Sequence, residues 1–142
     1  MNISDELTGT QVLVHPELSK NPTARAGQIG VINGIDREGA NAYVGFGKNG
    51  QAMYGMDAVL VLRPAAEIQQ ALKEHGAKLS VQDHTALFRM TLLQECSPSS
   101  ANTTTALNLA GTSEKVRELG TISVGEALGI SQEQILEQWA RR

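Results

Sequence analysis

The chain has 142 residues, a net charge of −3 and 41% hydrophobic residues, enough for one average domain or two small ones with an unstapled core. Neither the part up to Arg63 nor the remainder has a basic excess, which argues against strong non-specific nucleic-acid binding, because that needs Lys and Arg to displace phosphate counterions. With one Trp, two Tyr and two Phe, the core must be aliphatic.

Met1 to Glu6 has neither the basic start nor the apolar run of a secretory signal. Cys96 is the sole cysteine, which excludes an intrachain disulfide and fits a reducing compartment. No segment approaches the ~18 apolar residues of a membrane span. The expectation is a soluble cytoplasmic protein with no membrane contact.

From Gly9 to Leu62 the punctuation is glycine and the apolar period is near two, which predicts strands. Gln11 to Val14 is the first, stopped by Pro16, and residues 15–27 form a long polar loop. Gln28 to Ile35 is the second, with Gly30 and Gly34 leaving room for strong bending. Asp36-Arg37-Glu38-Gly39 is a turn. Ala40 to Phe46 is the third strand, with Val44 and Phe46 in the core and Tyr43 on the opposite face. Asn49-Gly50 is the strongest hairpin signal, since both residues accept positive φ. Gln51 to Tyr54 and Ala58 to Leu62 complete five strands, and Arg63-Pro64 ends the last.

Ala26-Gly27-Gln28-Ile29-Gly30-Val31-Ile32 resembles the Gly-x-x-Gly-x-Val core of the KOW motif, found in several ribosomal and transcription-elongation proteins. Ala42 to Phe46 and Tyr54 to Leu62 are similar to the closing strands of such barrels. The resemblance covers residues 9–63 and implies a five-stranded Src-homology-3-like β-barrel. Where the pattern usually carries basic residues this chain has Ala26 and Gln28, so the resemblance speaks for shape more than for nucleic acid. Such barrels host many functions.

The second half predicts helices. Pro64 opens one over Ala65 to His75, with Gly76 as its stop. Ser80 caps a second, with Asp83 three residues on, and Val81, Leu87, Met90 and Leu93 recur at near-helical spacing up to Cys96. Residues 97–105 fit either a polar linker or a helix capped by Ser97 with Pro98 at its first position, reaching Leu109 or Ala110. Ser113 to Leu119 is a short helix closed by Gly120. Ser123 to Glu126 and Ser131 to Gln134 are further capping signatures. The expected organisation is α+β, with a barrel over 1–63 and an all-helical domain over 64–142 of about four to six short helices.

Gly125, Gly129, Ile130 and Ile135 have the spacing of a helix-turn-helix. Two capped helices packing together is the preferred reading, because Glu133 and Glu137 on the would-be recognition helix repel phosphates. His15, His75, His84 and Cys96 show no metal-ligand or nucleophile spacing. There is no Gly-x-Ser-x-Gly. Gly45-x-Gly47-x-x-Gly50 sits at a hairpin rather than opening a helix, so it is no dinucleotide fingerprint.

The expected function is therefore a non-catalytic module without metal or cofactor. It binds a protein partner through the barrel face and the helical segment, with contact residues Tyr43, Tyr54, Met56, Lys20 and Arg25. Self-association into a homo-oligomer is compatible with this. The alternative is a nucleic-acid-binding or regulatory protein contacting its ligand through Lys48, Gln132, Arg141 and Arg142.

Overall fold

The computed structural model describes residues 3–4, 7–16, 26–96 and 99–129. The protein is α+β, with an antiparallel sheet mostly from the first half and helices in the second. Two compact units divide the described residues. One runs to Val61 and takes in Ser123 to Gly129, and the other is Leu62–Ile122. No helix among the described residues is long and apolar enough to cross a membrane.

In the first unit, β1 (Ile3–Ser4), β2 (Gln11–Val14), β3 (Ile29–Asp36), β4 (Asn41–Gly45), β5 (Gln51–Gly55) and β6 (Val59–Leu62) pair antiparallel. The order is β5-β4-β3-β2-β6, with β1 beside the far end of β3. The five expected strands are present. The expected closed barrel is not: among the described residues β5 has β4 as its only strand neighbour, so the sheet stays open at that edge.

The pairing of β3 with β4 is irregular at Asn33, between Gly30 and Gly34. The β3–β4 register shifts between Ile32 and Gly34, making Asn33 an extra residue. One extra residue reverses side-chain alternation, which is why Ile32 and Ile35, three apart, are both fully buried. They join Val12, Val14, Ala42 and Val44 in the core. Phe46, expected there too, is half-buried and meets Tyr54 edge-on, with ring centroids 6.4 Å apart at 77°.

The turn expected between β3 and β4 is present, and Ala40 within it takes positive φ, at 56°. Its carbonyl accepts from Met56 N–H at 2.9 Å, and its own N–H donates to the Arg37 carbonyl at 3.3 Å, bonds that hold this unfavoured conformation. Between β4 and β5 the Asn49-Gly50 signal marks a hairpin, but a wider one. Gly45 pairs with Gln51, so five residues form the loop, and its positive φ angles fall on Gly47 and Gly50.

The second unit contains α1 (Ala65–His75), α2 (Val81–Cys96), α3 (Ser100–Ala110) and α4 (Glu114–Gly120). A three-residue strand, β7 (Thr121–Ser123), and a single turn, α5 (Val124–Ala127), follow them. Gly76 takes ordinary helical φ and leads into a 3-10 turn over Gly76–Lys78, so it is not the left-handed stop expected there. Ser80 caps α2, its Oγ accepting from Asp83 N–H at 3.1 Å. Leu87 and Met90 are fully buried, whereas Val81, at the first helical position, is 83% exposed.

Residues 100–110 are helix, not linker. The cap is Ser99, two residues later than expected, with Oγ accepting from Asn102 N–H at 3.1 Å. Thr103, Thr104 and Thr105 donate their hydroxyls to Ser99, Ser100 and Ala101 carbonyls at 3.0, 2.9 and 3.0 Å, which gives three β-branched residues a place in a helix. Burial of Ala106, Leu107 and Ala110 secures it. Replacing Ser99 with Ala is expected to lower stability by about 1 kcal/mol, and Ser99→Asp to leave it nearly unchanged. Urea unfolding followed through α3 amide signals checks this.

Candidate protein-interaction surface

Among the expected contact residues that are described, Tyr43, Tyr54 and Met56 do not share a surface. Tyr54 is 2% exposed and Met56 0%, both in the core of the first unit, so neither is a surface contact residue. Tyr43 is half-buried on β4. Lys48 is exposed in the β4–β5 turn. Lys20, Arg25, Gln132, Arg141 and Arg142 lie outside the described residues, as do Ile130, Ile135 and the helix expected to carry them.

Hairpin register explains the burial of Tyr54 and Met56. A two-residue Asn49-Gly50 turn would set Gly45 opposite Tyr54 and Tyr43 opposite Met56, all facing outward. The five-residue loop shifts the pairing by three, so Ala42 faces Tyr54 and Tyr43 faces Met53. An odd shift turns every side chain of β5 over. Tyr54 therefore goes inward with Ala42 and Val44, and Met53 comes out beside Tyr43.

Met53, 41% exposed, is the residue that sequence reasoning missed. It could have been found from the loop's glycines, which permit a turn longer than Asn-Gly alone. Next along this face, Asn33 Nδ2 donates to Gln51 Oε1 at 2.8 Å, reaching from β3 across β4 to β5. The bridge passes over Gly45. A Cβ there would lie 2.5 Å from Asn33 Nδ2, so the missing side chain makes the passage. The outer face thus presents Tyr43 and Met53 beside a cross-sheet amide pair.

The edge strand itself is unusual. Gln51-Ala52-Met53-Tyr54-Gly55 contains no charge and no proline, and its pairing with β4 runs without a bulge. Those are the devices by which exposed edges normally avoid pairing with other chains. Along β5, Gln51 and Met53 are exposed and Ala52 is half-buried, while Tyr54 and Gly55 are buried.

Comparison of the chain with protein-family models, with curated proteins and with solved structures finds no match. Among the described residues, no three His, Cys, Asp or Glu side chains gather as metal ligands do.

Proposed function

We propose that the chain is a non-catalytic interaction module that takes an extended segment of a protein partner as an added strand along β5. The observation that carries this is the uncharged β5 edge, with no further strand beside it among the described residues and Met53 exposed next to Tyr43. Main-chain hydrogen bonds to the edge supply affinity, and alternate side chains of the added strand lie over Tyr43 and Met53. The strand order β6-β2-β3-β4-β5, with a long bent β3 shared between neighbours, supports reading this unit as a partly open relative of the small Src-homology-3-like barrel. An uncharged β4 and β5 suit a protein ligand better than a polyphosphate.

A photo-crosslinking residue at position 53 tests this, with one at exposed Lys73 on α1 as control. The expected result is a discrete protein adduct from position 53 only. Met53→Lys should weaken the same association by at least tenfold while leaving the far-UV circular dichroism unchanged, because a charge on this strand opposes pairing with an incoming one. Equal adducts from both positions would contradict the proposal. So would association that requires Lys48 and vanishes steeply with salt, the mark of nucleic acid.

A further inference from the structure

A second feature, within the helical unit, points to a different ligand. A cavity of about 180 Å³ is lined by His75 at the end of α1, Lys78 and Leu79 just after it, and Lys115, Glu118 and Leu119 of α4. Leu79 and Leu119 are half-buried and form an apolar floor, while Lys78, Lys115 and Glu118 are exposed walls. Glu118 Oε2 lies 3.8 Å from Lys115 Nζ, so one ammonium and the one carboxylate offset each other. The Lys78 ammonium remains without an ion pair among the described residues.

We infer that this cavity binds a small amphipathic monocarboxylate, its apolar body on Leu79 and Leu119 and its carboxylate at Lys78. Size limits the ligand. A cavity of ~150 Å³ accommodates a benzene ring, so this one takes a body of that size with its carboxylate toward the open side. Charge selects the class, since among the lining side chains two ammonium groups stand against one carboxylate and Lys78 carries the unmatched charge. The His75 ring, whose Nε2 lies 3.8 Å from Glu74 Oε2, adds a hydrogen-bonding group on the same rim. The site is independent of the β5 edge.

Benzoate is the probe, titrated into the isotope-labelled full chain and followed by amide and side-chain NMR signals. The expected result is saturable shifts confined to His75, Lys78, Leu79, Lys115, Glu118 and Leu119, with a millimolar dissociation constant. Lys78→Gln should weaken binding at least fivefold, and Lys73→Gln should not change it. Benzyl alcohol, similar in size but neutral, should not bind at these signals. Shifts scattered over other surface lysines, equal binding of benzyl alcohol, an unaltered affinity in Lys78→Gln, or no saturable shift would each overturn the inference. Lys78 is exposed, so its variant is expected to fold.

Discussion

Gly30→Ala is expected to cost about 3 kcal/mol, at the top of the range for overpacking. A Cβ at this position would lie 2.5 Å from Val44 Cγ1, 2.8 Å from the Gly45 carbonyl oxygen and 3.0 Å from Phe46 Cε1. The first is a β-branched side chain locked in the core and the second is backbone, so neither can yield cheaply. Against a total stability of about 5–15 kcal/mol, that is a large share. Gly45→Ala is the informative contrast. Its Cβ meets mainly the end of the Asn33 side chain, which can swing away. The expected cost is the exposed Asn33–Gln51 hydrogen bond, about 1 kcal/mol. Urea unfolding read from β3 and β4 amide signals separates the two variants.

Truncating Tyr54 has an effect of similar size for a different reason. Tyr54→Ala removes a ring that is 2% exposed, packed against Phe46 and facing Ala42 across the β4–β5 pair, and should cost about 3–5 kcal/mol. Met56→Ala, with a fully buried thioether, should cost about 2–5 kcal/mol. Tyr43→Ala, on the opposite face, should cost about 1 kcal/mol or less and instead weaken partner association. The pattern separates the two tyrosines. Loss of association through Tyr54 would follow unfolding, whereas loss through Tyr43 would occur in a folded protein. Thermal unfolding of the three variants, beside the association assay on each, checks both halves.

The strands, the first helix and the Ser80 and Ser123 caps were legible because each depends on local chemistry. Apolar period, a proline at the helix entrance and a serine oxygen within reach of the third N–H are all written in adjacent residues. What was not legible depends on counting across a turn. Asn49-Gly50 announces a hairpin. It does not announce that the loop spans positions 46–50, with Phe46 N–H donating to the Gly50 carbonyl at 2.8 Å to close it. That three-residue difference decides whether Tyr54 or Met53 faces outward. The bulge at Asn33 is equally silent, because it is an event in pairing with β4 rather than in β3 alone. Barrel closure is hidden for the same reason, being set by whether two distant strands meet.

In the helical unit the threonine run left propensity reasoning undecided between helix and linker, because propensity scores each residue alone. The hydroxyl bonds to the preceding turn and the burial of Ala106, Leu107 and Ala110 are collective, and they decide for helix. The cavity beside Lys78 was invisible in sequence, since Lys78 and Lys115 are separated by two helices.

Amide hydrogen exchange of Gln51 to Gly55, measured with and without the partner captured by crosslinking, is the sharpest test of strand addition. The amides of Gln51 and Met53, the exposed residues of β5, are expected to exchange freely in the isolated protein. On binding they should become strongly protected, together with changes at Tyr43. Unchanged exchange along β5, with protection appearing only elsewhere, would contradict strand addition.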